Sequence, residues 1–545
     1  MRNHPSDDNI KEAPEQQNAN PKAAVRRQKP SKAWNNFAGT LLMIQFFSSG
    51  YAFYRAFKLG MIPEKMLYIT GGALLLLLLL NTILLFAGRT PGGPRILRRL
   101  FAVLLAIAIT MGSLYAGNMM RALDSMVDNI TSEEDSGVAA VLNAYVLKDD
   151  PAQSLADCKN YKFGVIGGNE GSVSYAAAKK TTGTSGEIDV LPYSTSTELV
   201  DALYGSEVKA ILIQDHYTSI LTETEEYKDF EDRTRLIGTV TVSSSELDTA
   251  TSSNPFPADQ TDNNGSNSVD NATDAVKNIS LDPFIVYISG SDTRDKKFKV
   301  SRSDVNILMV VNPKTRQILL LNTPRDYYIP NPKSSTGMKD KLTHFGIYGV
   351  NCSIKGLEQL YGCNVNYYAQ INFTGTEKLV DDLGGITINN PQAFSSRGYS
   401  FAKGDITLNG AQAVVYARER YAFKDGDNMR GRNQMRIITA MIRKMTSSTA
   451  LIMNYGKILK DLEGFMVTSL SSNEIESLVK MQLNDMSSWN IKSYSVTGNG
   501  GSDYTYSMPK TKLYVTYPDS KSVNKASGLI NKVISGGELN DQDLK

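Results

Sequence analysis

Three cysteines, three histidines and two tryptophans in 545 residues leave little material for several common chemistries. No Cys-x-x-Cys or His-rich spacing occurs, so zinc has no ligand set, and only His344 among the histidines falls in the C-terminal half. No Ser–His or Cys–His dyad is evident, which leaves no covalent nucleophile in view. Charge of one sign is also missing: 58 basic against 56 acidic residues give a net charge of +2, with no overall footprint for nucleic acid. A cleaved signal peptide fits poorly, because a polar arm of about 35 residues precedes the first apolar run.

Long apolar runs, by contrast, are present. Phe37–Phe57, Met66–Gly88 and Leu100–Met120 are each about 20 residues, the length a helix needs to cross a bilayer. The middle run holds seven consecutive leucines, Leu74–Leu80. Three runs this close together predict three transmembrane helices over 37–120 rather than buried helices of a soluble core. The arm at 1–36 carries Arg26, Arg27, Lys29 and Lys32, and the second loop carries Arg89, Arg95, Arg98 and Arg99. The segment after the third run is acidic, with Asp124, Asp128, Glu133, Glu134 and Asp135. The positive-inside rule therefore predicts a multi-pass protein of the cell membrane, with a cytoplasmic N-terminus and an extracytoplasmic C-terminal part.

From 139 to 242, strand-like and helix-like segments alternate. Lys162–Gly167, Ile188–Leu191, Lys209–Gln214 and Leu236–Val242 read as strands, and Ser172–Lys180 and Thr197–Tyr204 as helices. The pattern predicts a small α/β accessory domain on a parallel sheet. Gly167-Gly168-Asn169-Glu170-Gly171 lacks the Lys-Ser/Thr of a P-loop and reads as a tight turn. Residues 243–280, rich in Ser, Thr, Asn and Asp, read as a flexible polar linker. A third domain is expected over 281–537. Cys352 and Cys363 flank a short helical stretch there, and a disulfide between them and two free thiols are both open readings.

Four short motifs in this last domain carry the chemistry. Phe284–Gly290 and Asp304–Asn312 are strongly β-like, and pairing them as a hairpin brings Asp292 beside Asp304. Asn312-Pro313-Lys314-Thr315 suits a type I turn that folds Arg316–Asn322 back as a third strand and brings Arg325 to the same edge. Arg302 and Asp304, two apart in extended chain, share a face. Asn409 is a candidate cap for a helix running to Arg418, and Arg418 and Arg420 point together only if that helix ends there. In the next helix Arg430, Gln434, Ile437, Ile438 and Met441 fall on one core-facing stripe, and Arg432, Arg436 and Arg443 on a solvated face. Asp427, one turn ahead of Arg430, is placed to cap the helix or orient that arginine. Paired carboxylates suit a hard cation such as Mg²⁺, or Mn²⁺ in its place. Arginines supply forked donors for phosphate oxygens. Together they fit attack on a pyrophosphate by an acceptor hydroxyl.

The ordered set Ile-Ser-Gly-Ser-Asp292, Arg302-Ser-Asp304, Pro-Arg325-Asp326, Leu-Val-Asp-Asp-Leu-Gly-Gly385, Tyr-Ala-Arg418-Glu-Arg420 and Asp427-Asn-Met-Arg430-Gly-Arg-Asn-Gln434 resembles the LytR–CpsA–Psr family of bacterial envelope proteins, in its capsule-associated CpsA-type branch. The resemblance implies an α/β/α domain around a mixed sheet. It also implies a Mg²⁺-assisted transferase on a Gram-positive membrane, passing a glycopolymer such as capsular polysaccharide from a polyprenyl pyrophosphate carrier to peptidoglycan. Asp292 and Asp304 would hold the metal. Arg302, Arg325, Arg418, Arg420 and Arg430 would bind pyrophosphate, supported by Gln434, with Arg325 and Arg418 catalytic alongside the two aspartates. Membrane lipid and capsule-synthesis proteins are further expected partners; nucleic acid is not. A polyprenyl pyrophosphatase and a non-catalytic regulator that binds lipid-linked polysaccharide are the alternatives. One departure is that many relatives have another arginine just after Pro-Arg-Asp, where this chain has Tyr327-Tyr328-Ile329. Lys333, Lys339 and Lys341 are the candidate replacements.

Overall fold

The computed structural model describes residues 32–87, 93–131, 138–167, 171–182, 189–222, 224–243, 275–291, 301–424, 426–447 and 450–545. Most of the basic arm, most of the polar linker, the Gly168-Asn169-Glu170 turn and Asp292 lie outside them. The chain divides into two compact units, residues 1–54 with 67–117, and residues 55–66 with 118–545.

The first unit is helical. Helices α1 (Lys32–Lys58), α2 (Glu64–Phe86) and α3 (Gly93–Thr131) follow the three apolar runs. Two helices, Glu64–Phe86 and Arg95–Leu123, are long and apolar enough to cross a membrane, with only 11% and 22% of their apolar windows buried. Three such helices were expected, and among the described residues two meet the length and hydropathy needed. Gln45, Ser48 and Ser49 dilute the apolar content of α1. Its Gln45 is fully buried, and Oε1 accepts a 2.8 Å hydrogen bond from Asn81 Nδ2 of α2, a polar link of the kind that joins helices where water is scarce.

In the second unit, strands β1 (Val138–Leu147), β2 (Phe163–Ile166), β3 (Val190–Tyr193), β4 (Ala210–Gln214) and β5 (Thr234–Ser243) form a sheet in the order β3-β2-β4-β1-β5. Helices α4 (Gly171–Thr182) and α5 (Ser196–Tyr204) fall between its strands. The parallel sheet expected here is only half present. β2 runs parallel to β3 and β4, but β1 pairs antiparallel with both β4 and β5. The alternation pattern did not register β1, which lies between β4 and β5 and runs opposite to the other four strands.

A larger six-stranded sheet follows. Strands β6 (Phe284–Ser291), β7 (Ser303–Asn312) and β8 (Gln317–Asn322) form an antiparallel meander in its middle. β9 (Tyr367–Asn372) lies parallel to β6, and β10 (Met466–Thr468) caps that edge. β11 (Asn490–Ser495) lies parallel to β8 on the other side. The sheet is therefore mixed. Strand alternation divides the apolar side chains between two faces. Leu319 and Leu321 pack with Leu357 of α6 (Val350–Tyr361) and with residues of the C-terminal helix Ser520–Ile534. Ile318 and Leu320 pack with Met435 and Ile438 on the opposite side.

The two cysteines in question are free. Cys352 sits in the first turn of α6 and Cys363 just beyond its left-handed Gly362 cap. Eleven residues of helix rise amount to roughly 16 Å, far beyond what a disulfide spans. Burial pushes each thiol up to about 12. All three cysteines are expected to alkylate in denaturant without reductant, and mass spectrometry of the labelled chain checks this.

Candidate active site

The site collects at one end of the meander. In the β7–β8 turn, Asn312 Oδ1 accepts from Thr315 N–H at 3.2 Å. Arg316 takes a positive φ of 53° before β8 begins. Asn322 then pairs with Ile307, so the chain leaving β8 runs beside the start of β7. Arg325 Nη1 donates to Asp304 Oδ1 at 3.0 Å, and Thr343 Oγ1 donates to the same oxygen at 3.3 Å.

Asp304 and Arg325 are 15% and 19% exposed at their side chains. Burial alone would raise the Asp304 pKa, but Arg325, then Arg430 and Arg302, outweigh it and hold the carboxyl below its ordinary range. Its Oδ2 makes no hydrogen bond among the described residues. Magnesium takes one or two carboxylates and fills its remaining positions with water and phosphate oxygens. This donor fits such an ion, although no group of three or more His, Cys, Asp or Glu is gathered for a metal among the described residues.

The helical half arrives by capping. Asn409 and Gln412 form a reciprocal box at the start of α8 (Gly410–Arg418), which follows α7 (Phe373–Asp382). The helix stops at Arg418, where Glu419 turns extended with φ −71° and ψ 130°. Arg418 then lies 4.1 Å over the Phe373 ring of α7. Glu419 organises the turn. Burial would raise its pKa, but hydrogen bonds from Ser396 and from the backbone N–H groups of Ala422, Tyr421 and Arg420 lower it. Arg420 Nη2 donates to the Tyr421 hydroxyl at 2.6 Å.

Helix α9 (Asp427–Ser447) brings Arg430 near enough to bias Asp304. A Cβ on its Gly431 would lie 2.3 Å from Asn322 Nδ2 at the end of β8, so a side-chain-free position lets the helix approach the sheet. The Asp427 side chain is not among the described ones. Gln434 is half-buried on the same helix with no hydrogen bond among the described residues. Arg436 corrects the solvated-face reading. It is half-buried, donates to Asn433 Oδ1 at 2.7 Å, and has its pKa lowered chiefly by burial. The phase argument assumed one buried face, whereas α8 covers α9 as well, with Asn433 Nδ2 donating to the Tyr416 carbonyl at 3.3 Å.

A cavity of about 600 Å³ opens at this place, lined by Arg325, Asp326, Lys341, Arg420, Tyr421 and Tyr514 among others. Of the three candidate lysines, Lys333 and Lys339 are exposed, whereas Lys341 is 6% exposed at its side chain and pairs with Asp326 at 2.9 Å. Thr343 and Tyr514 belong to no motif singled out in the sequence, whereas Glu419 lies inside Arg418-Glu-Arg420 and Lys341 was noted as a spare cation near Pro-Arg-Asp.

The mixed-sheet α/β domain thus sets a largely buried Asp304 beside Arg325 near a cavity lined by Arg325, Arg420 and Lys341, an arrangement suited to an anionic ligand. The LytR_cpsA_psr family profile matches residues 250–522, and the chain belongs to that family. It is 35% identical over 199 residues to the polyisoprenyl-teichoic acid–peptidoglycan teichoic acid transferase TagU of Enterococcus faecalis, covering 36% of this chain and 65% of that one. The transferase of the same name from Halalkalibacterium halodurans is 33% identical, covering 40% and 71%. Against the crystal structure of Bacillus subtilis TagU the identity is 29%, the coverage 48% and 100%, and the TM-score 0.37.

Proposed function

We infer that this chain is an extracytoplasmic transferase that moves a glycopolymer from a polyprenyl pyrophosphate carrier to peptidoglycan. The observation that carries the reading is Asp304, kept ionised among Arg325, Arg430 and Arg302 beside a cavity lined by Arg420 and Lys341. Relatives named as teichoic acid transferases support it. The polymer here is capsular polysaccharide or a similar glycopolymer. The N-terminal apolar helices would hold the chain in a membrane, near the lipid on which such a substrate travels.

The arginines and Lys341 bind the pyrophosphate oxygens and take up charge as the linkage breaks and polyprenyl phosphate leaves. A divalent cation, Mg²⁺ or Mn²⁺, would be held by Asp304 with Asp292 and would supply further charge stabilisation when bound. A carboxyl with a depressed pKa is a poor proton acceptor near neutrality, so Asp304 serves as a fixed anion rather than a base.

The test incubates the full chain in nanodiscs with a polyprenyl-pyrophosphate oligosaccharide, Mg²⁺ and peptidoglycan fragments, with a chelator control. Glycan on peptidoglycan together with released polyprenyl phosphate supports the reading. Lipid phosphate released without glycan transfer points to a pyrophosphatase, and binding without either product points to a regulator. In the same assay Lys341→Ala is expected to raise KM about tenfold or more, the scale of a lost charge-assisted hydrogen bond, with Lys341→Arg recovering most of it.

A further inference from the structure

The cavity has a second chemistry beside its cations. Tyr514 and Tyr421 line it as well, and they are 59% and 84% exposed. Tyr514 belongs to β13 (Lys512–Pro518), which pairs antiparallel with the glycine-rich β12 (Gly498–Tyr504). A Cβ on Gly500 would lie 2.7 Å from the Tyr514 hydroxyl and 3.1 Å from its ring. The hydroxyl end of the ring therefore lies over bare backbone at Gly500, while much of the side chain stays open to solvent. The hairpin is also registered to the site, because Thr516 N–H donates to the Asp326 carbonyl at 2.7 Å. Two residues of strand thus separate Tyr514 from the Pro-Arg-Asp turn.

Resting on the pyrophosphate reading above, we propose that Tyr514, assisted by Tyr421, is the platform for the first sugar ring of the lipid-linked glycopolymer. A pyranose has an apolar C–H face bounded by hydroxyls, which matches an exposed aromatic face with a phenolic rim. An isoprenoid chain gains little from rings left this wet, since its binding depends on removing apolar area from water. The platform lies beside the cations, as it must when the sugar is bonded directly to the pyrophosphate. Tyr514 is then a specificity residue, reading the sugar rather than the carrier.

Binding to the full chain is measured by calorimetry with two probes, farnesyl pyrophosphate and farnesyl-pyrophosphoryl-N-acetylglucosamine. Tyr514→Ala is expected to weaken the sugar-bearing probe about fivefold to tenfold, the scale of one aromatic contact, and to leave farnesyl pyrophosphate within about twofold. Tyr514→Phe keeps the aromatic face but not the phenol and should lose less of the sugar-bearing probe's affinity than Tyr514→Ala, and Tyr421→Ala should show a smaller loss of the same selectivity. Equal loss for both probes, or no loss for the sugar-bearing one, overturns the proposal while leaving the pyrophosphate site standing. If the parent chain binds neither probe, the pyrophosphate reading fails and this one with it.

Discussion

Arg325→Ala is expected to lower the transfer rate by about 10²–10³, the usual cost of removing one preorganised charge donor from a reaction site. Two losses combine. One forked donor is gone from the cavity wall, and the Asp304 oxygen that accepted from it at 3.0 Å loses that partner while Thr343 still donates to it. Arg325→Lys should recover only part of the rate, since an ammonium cannot replace the planar fork. The pH profile separates this account from simple misfolding. In the parent chain the Asp304 pKa lies below its ordinary value of 3.8. Its pairing is therefore fully present above that value and fades only as pH falls through the still lower folded pKa. Without Arg325, burial acts with less opposition, so the Asp304 pKa rises and the acid limb of activity moves to higher pH. An unchanged acid limb in a folded Arg325→Ala protein would show that Asp304 does not report on this pair.

Much of this site is legible in the sequence because its first half is built by local pairing. The Asn312-Pro313 turn and the alternation of β7 and β8 are enough to bring the Pro-Arg-Asp segment back to Asp304. The extent of α8 was legible for a similar reason, since a cap at Asn409 fixes where the helix starts and Glu419 can leave it. What was not legible comes from distant chain. Tyr514 reaches the cavity through a hairpin whose Thr516 meets Asp326, and no periodicity links positions so far apart. Arg436 was misplaced because helix phase reports one buried face, and α9 is covered by both the sheet and α8. The small sheet departed from its expected parallel form on the same ground, since the direction of β1 is set by its partners β4 and β5.

Gly410→Ala tests the second half of the site from a distance. Gly410 opens α8, and its N–H donates to Asp381 Oδ1 of α7 at 2.7 Å. A Cβ there would lie 2.1 Å from the Glu377 carbonyl oxygen, also on α7. Backbone at that distance cannot yield as a flexible side chain would, so the two helices must move apart, at a cost of about 1–3 kcal/mol. The far end of α8 is seated on the same partner, with Arg418 over Phe373 at 4.1 Å. Lifting one end of a nine-residue helix therefore displaces the arginine at the other. A misplacement near 1 Å costs about 10²-fold in rate, so activity should fall further than the loss of stability explains at assay temperature. Gly528→Ala is the matched control, since nothing lies within 4 Å of a Cβ at that position and alanine favours its helix by about 1 kcal/mol. Thermal unfolding and transfer rates of both variants decide the matter. A Gly410→Ala protein with parental melting and parental rate would mean that the seat of α8 on α7 does not set the position of Arg418.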